Sequence, residues 1–163
     1  MYNLEKRRKI LSVYHHIDEF SRFRYVEAFK EISTYYSTVF LEHMLKAFPF
    51  KVECIQTDNG SEFTKHYGSK NSSDLTMFEK GVGRYGIRHK KIKPYTPKHN
   101  GKVERSHRKD NEYFYASHKF YSFEDFSKQL KVHNRKYNAF PMIPLGWRSS
   151  KETLTRHVEK KYN

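Results

Sequence analysis

Apolar positions along this chain change period several times, and each change marks an element. Leu11, Val13, His15 and Ile17 alternate with their neighbours, the period-two signature of a half-buried strand over residues 10–17. The polar run Asp18-Glu19-Phe20-Ser21-Arg22 then reads as a hairpin turn leading to a second strand over Phe23–Phe29. Beyond it the period lengthens. Tyr36, Phe40, Met44 and Phe48 recur every four residues behind a Ser33 or Thr34 cap and stop at Pro49, which predicts an amphipathic helix. Val52 to Thr57 is a short β-rich run that breaks at Asp58-Asn59-Gly60, so a carboxylate stands at the carboxyl end of a strand.

Residues 65–73 have no apolar period and read as a mobile surface loop. Ser73 is the expected cap of a helix with Leu75, Phe78, Val82 and Tyr85 on one face and Gly86 closing it, followed by a strand over Ile87–Ile92. Pro94 and Pro97 bracket a stretch that cannot be regular. Helix resumes after Asn100-Gly101 through Val103, His107 and Phe114. Another begins at Ser122, where Ser122 and Asp125 have capping-box spacing, and Ser149 with Glu152 opens a last short helix after the Pro141 to Pro144 loop. Strands, helix, strand, helix, strand, helix, helix is a mixed α/β order, a sheet covered by helices. At 163 residues the chain is sized for one domain.

Charge adds more to this picture than composition does. The 13 tyrosines and 13 phenylalanines give volume for a core. Against 18 acids stand 32 lysines and arginines, a formal net charge of +14, and the natural inference is a polyanionic partner. No run approaches the ~20 apolar residues of a spanning helix, and no apolar stretch follows the basic start; the expectation is a bacterial-type cytoplasmic protein with no membrane partner, nucleoid-associated when bound to DNA. The single Cys54 excludes an internal disulfide and a cysteine-based zinc cluster, and its apolar surroundings predict a buried thiol. His15 and His16 are adjacent strand residues facing opposite sides, so they make no metal site.

The cations concentrate between Gly86 and Lys109, where nine lysines and arginines and three histidines are interrupted by one acid, Glu104. Such a face suits a phosphate backbone, whose neutralisation releases counterions, and Tyr95 is placed to stack on an unpaired base. The plain alternative for the lysines is a solvated basic surface. A carboxylate facing a DNA phosphate is repelled unless a cation lies between them, and Mg²⁺ binds through one or two carboxylates plus substrate phosphates. The competing role for Glu104 is an ion pair with Lys102, Arg105 or Arg108, and for Asp58 a turn-forming role before Asn59-Gly60. Carboxylates from separate elements sharing metal ions are the arrangement of two-metal phosphoryl transfer.

Thr57-Asp58-Asn59-Gly60-Ser61-Glu62-Phe63 resembles the second-aspartate motif of retroviral integrases and insertion-sequence transposases, the DDE family. Pro94-Tyr95-Thr96-Pro97-Lys98-His99-Asn100-Gly101-Lys102-Val103-Glu104-Arg105 resembles that family's glutamate motif. Ile17 to Arg22 is similar to its strand-turn signature, and Tyr137-Asn138, Pro141 and Leu145-Gly146 to its C-terminal stretch, so the resemblance spans nearly the whole chain. It implies a ribonuclease-H-like mixed sheet flanked by helices, here without its first strand, with residues 122–163 as a C-terminal helical extension of one core over residues 1–163. It further implies Mg²⁺ or Mn²⁺ as cofactor, mobile-element ends and target DNA as partners, nicking and strand transfer as the reaction, and a homo-oligomer.

Carried over by motif, Asp58 and Glu104 are the catalytic metal ligands; Lys93, Tyr95, Lys98, Asn100, Lys102, Arg105, Arg108 and Lys109 are nucleic-acid contacts; and Asn59, Gly60 and Gly101 shape the site. Two departures stand out. The gap from Asp58 to Glu104 is longer than usual in the family, with an insertion placed around His66 to Ser73. The sequence also holds no counterpart of the family's first aspartate, for which Asp18 is no substitute, so weak or absent catalysis by this chain alone is expected. Two other readings compete: a non-catalytic DNA-binding remnant that keeps only the basic face, and an RNA-binding accessory protein, which leaves both motifs unexplained.

Overall fold

The structure, a computed structural model, describes residues 12–65, 74–92 and 101–162. Its contacts gather into two compact units. One is built on residues 13–28 and 101–162, the other on residues 29–65 and 74–92.

In the first unit, β1 (Ser12–Ile17) and β2 (Arg24–Phe29) pair through a turn made by Asp18. The Asp18 carboxylate accepts from both the backbone N–H and the hydroxyl of Ser21 at 2.7 Å, so this acid is spent on its own turn. Tyr14 and Ser12 are the buried positions of β1, while Val13 and Ile17 are half-buried; the apolar alternation therefore marks the strand and not its deeper face. Helix α3 (Gly101–Asp110) runs into a wider π turn over Asn111–Tyr115, where the Ala116 N–H reaches back to the Asn111 carbonyl at 3.0 Å. That turn seats the fully buried Phe114, on which the His133 ring stacks with centroids 4.7 Å apart. Helix α4 (Phe123–Ala139) starts at the expected Ser122 cap and contributes Phe126 and Leu130 to the core. The short pair β5 (Pro141–Met142) and β6 (Arg148–Ser149) follows, antiparallel, and leads into α5 (Ser150–Tyr162). Ser149 and Glu152 bond reciprocally as the spacing predicts, and the helix they open runs for 13 residues where a short one was expected.

In the second unit, α1 (Thr34–Ala47) is capped by Ser33 and buries Phe40 and Met44, with Phe48 just beyond it, as the four-residue period predicts; Leu41 is buried outside that period and Tyr36 is half-buried. Its partner α2 (Met77–Arg84) approaches closely at Gly81, where a Cβ would lie 3.4 Å from Leu41 and Thr38. Strand β3 (Cys54–Thr57) pairs in parallel with β4 (Arg88–Lys91), Cys54 against Arg88 and Thr57 against Lys91. Two expectations are corrected here. The cap of α2 is Thr76, not Ser73, because Thr76 and Glu79 form a reciprocal capping box, and Leu75 and Tyr85 are left exposed. Cys54 is half-buried, not a core thiol, since Ile55 and Thr57 take the inward positions of β3. Gly86 does close the helix with a left-handed φ of 63°.

The mixed α/β class holds, with hydrogen-bonded pairing among the described residues taking the form of three two-stranded ladders. The loop expected over residues 65–73 falls almost wholly, and the proline-bracketed segment wholly, outside the described residues.

Candidate functional site

Asp58 leaves the carboxyl end of β3 into a turn held from several sides. Its Oδ1 accepts from the Gly60 N–H at 3.1 Å, and Gly60 O accepts in turn from the N–H groups of Phe63 and Thr64 at 3.0 Å each. Asn59 ties this turn to the end of β4, donating from Nδ2 to the Ile92 carbonyl at 2.9 Å. Behind it Thr57 Oγ1 and His89 Nε2 lie 2.8 Å apart, and burial, aided by the Lys91 charge, holds His89 below the usual imidazole value. The turn is thus pinned while the Asp58 side chain faces solvent. A Cβ on Gly60 would first meet the carboxylate end of Glu62, at 2.5 to 2.9 Å, a flexible side chain that would have to move aside.

Glu104 lies in the first turn of α3, exposed, with Arg105, Arg108 and Lys109 exposed beyond it. Neither arginine forms an ion pair with it among the described residues. Lys93, Tyr95, Lys98 and Asn100 fall outside the described residues, as does the Lys102 side chain. Gly101 opens the helix with nothing within 4 Å of where a Cβ would stand. Asp58 belongs to one compact unit and Glu104 to the other. Both fit a hard divalent cation in kind, being oxygen donors open to solvent that form no ion pair among the described residues.

Sequence reasoning missed the polar cluster on the inner side of α3. Arg24 is fully buried, and its Nη1 donates to both Asp110 oxygens at 2.7 and 2.8 Å and to Ser106 Oγ at 2.8 Å. His133 Nε2 approaches Asp110 Oδ1 at 2.7 Å, and His15 Nδ1 lies 3.8 Å from Oδ2. Burial pushes the Asp110 carboxyl up, but the His133 hydrogen bond and the Arg24 guanidinium outweigh it and hold the group below its usual value. Burial drives His15 well down, with His107 and Arg24 adding to the effect; it holds His107 down as well, and it takes His16 to about 4 against the pull of Asp18. The sequence carried one signal of this cluster, the spacing of Ser106 and Asp110 on one side of an otherwise charged helix.

Residues 85–140, which include Glu104 and exclude Asp58, match the model of a family described as the integrase core domain. The fold is similar to the catalytic core domain of BIV integrase, with a TM-score of 0.69 and 18% identity over 93% of this chain and 90% of that one. It is equally similar to a chain of the simian T-cell lymphotropic virus intasome in complex with PP2A regulatory subunit B56 gamma, with a TM-score of 0.70 and 18% identity over 93% of this chain and 50% of that one. No curated protein sequence matches. The architecture is similar to that of retroviral integrase catalytic cores, and the integrase core family match covers about a third of the chain.

Proposed function

We propose that this chain, with the fold of an integrase core, handles DNA in metal-dependent nicking and strand transfer, with Asp58 and Glu104 as ligands of Mg²⁺ or Mn²⁺. The observation that carries the reading is Glu104 itself: a solvent-facing carboxylate that, among the described residues, pairs with none of the exposed cations beside it, inside the segment that matches the integrase core family. A carboxylate so placed repels a phosphate until a cation comes between them. The bound metal supplies activation of an attacking oxygen and stabilisation of a leaving oxygen. Arg105, Arg108 and Lys109 hold the phosphate backbone beside Glu104, and the pinned Asp58 turn keeps a second carboxylate in a fixed direction. Asp58 and Glu104 are two of the carboxylates implied by the resemblance, and DNA and metal binding are the activities that they and the exposed cations support.

Fluorescence anisotropy with a labelled duplex across a salt series tests this. Wild-type binding should weaken steeply with salt, and Arg105→Ala and Arg108→Ala should each lower the log-log slope by about 1. Adding Mn²⁺ should tighten DNA binding by the wild type and leave Glu104→Gln unchanged. An equal Mn²⁺ effect on both proteins would identify a basic DNA-binding remnant and sink the metal reading.

A further inference from the structure

Helix α3 carries the proposed metal ligand and the proposed DNA contacts, yet it has almost no apolar grip on the protein. Among its described side chains the buried ones are Ser106 and Asp110, at 3% and 1% exposure, and Val103 is only half-buried. A free helix of this length is marginal in water, so its orientation has to come from tertiary contacts. Besides the His133 contact to Asp110 and the His15 ring against His107, the contact that reaches both buried residues is a guanidinium. Arg24, at 0% exposure, holds both buried residues through Nη1.

Arg24 is itself held by α4. Its Nε donates to Asn134 Oδ1 at 3.0 Å, and its carbonyl accepts from the side-chain amides of Asn134 at 3.2 Å and Asn138 at 2.8 Å. Its backbone N–H donates to Asn138 Oδ1 at 2.8 Å, and its guanidinium carbon sits 3.9 Å from the centre of the Tyr137 ring. His133 of α4 and His15 of β1 complete the ring of groups around Asp110. One side chain on β2 therefore keys α3 to α4 through directional bonds.

At about 100° per residue, Ser106 and Asp110 lie about 40° apart, while Glu104 and Arg108 point about 160° and 200° away from Ser106. The anchor thus lies directly behind the face that Glu104 and Arg108 present. An apolar contact tolerates rotation of a helix by a few tens of degrees, whereas hydrogen bonds weaken steeply once bent, and setting register is the best-attested use of a buried charged group.

We propose that Arg24 is a positioning residue, setting the rotation of α3 about its own axis and so the direction in which Glu104 and Arg108 meet metal and DNA. This rests on the metal-ligand reading of Glu104.

Three variants decide it: Arg24→Lys, which keeps the charge but is too short to hold Ser106 and Asp110 as Nη1 does; Arg24→Met combined with Asp110→Leu, which replaces the pair by apolar groups; and Glu104→Gln. Melting temperature, Mn²⁺ dissociation constant by electron paramagnetic resonance, and hydrogen exchange of the α3 amides are read for each. The double variant should melt near the wild type, yet it and Arg24→Lys should bind Mn²⁺ about tenfold or more weakly, as loss of a group orienting a metal ligand typically costs. Wild-type Mn²⁺ affinity in either variant with wild-type melting would reduce Arg24 to a structural residue. Should the double variant fail to fold, Arg24→Lys alone carries the comparison. If Glu104→Gln leaves wild-type Mn²⁺ binding intact, the metal reading is wrong and hydrogen exchange judges the anchor. Protection should then fall selectively across α3 in Arg24→Lys while α4 stays protected, and unchanged protection would overturn the anchor.

Discussion

Arg24 and Asp110 show how one side chain can be invisible in the sequence and central in the fold. An arginine between Phe23 and Tyr25 reads as a solvent-facing strand residue, and its partners lie 82 to 114 residues further along, beyond any local pattern. Removing one partner leaves a buried charge uncompensated, so Asp110→Ala should lose about 3–5 kcal/mol in urea denaturation, against about 1 kcal/mol or less for Glu104→Gln at the exposed first turn. The buried histidines give a pH signature of their own. Burial keeps His15, His107 and His89 below 6.5 and takes His16 to about 4. The unfolded chain therefore binds protons that the folded one refuses, and stability should decline as pH falls from 6.5 toward 4, by up to about 1.4 kcal/mol per pH unit for each of the deeply buried His15 and His16 and by less for the more exposed His89 and His107. Thermal melts across that range check the sign; melting temperatures that rise on acidification would contradict it. Asp58 and Glu104 are proposed on the opposite ground, since each sits in a contiguous motif that needs no distant partner to be read.

Helix ends were the most legible elements, because capping is local chemistry. Ser33, Ser122 and the Ser149–Glu152 pair all cap as their spacing predicts. The α2 start was misplaced although Thr76 and Glu79 show the same spacing, and the exposed Leu75 and Tyr85 show why: the apolar period extends beyond what the helix buries. Glu79 serves twice there, closing the box and pairing with Lys91 at 2.7 Å. Thr76→Ala should cost about 1 kcal/mol, and a melting temperature unchanged from wild type would show that the box contributes nothing. The π turn over Asn111–Tyr115 had no signature, since one extra residue in a turn leaves a helical period nearly intact.

Taken as one chain, the fold class was legible from the order of periods, and the integrase likeness from two motifs placed in order; both agree with the structural matches at 18% identity. The division into two units was not, because it follows contacts and not chain order: β1 and β2 join the residues after 100, and the segment between them in sequence forms the other unit. Asp58 and Glu104 thus come from separately built halves, each prepared by its own means, a pinned turn in one and a guanidinium anchor in the other. The most direct test of their proposed role is a Mn²⁺ titration of the whole chain without DNA, followed by electron paramagnetic resonance, for wild type, Asp58→Asn and Glu104→Gln. Wild type should bind the ion at or below millimolar concentration, and each substitution should weaken it by about tenfold or more. No binding up to about 10 mM, or equal binding in all three proteins, would contradict the account.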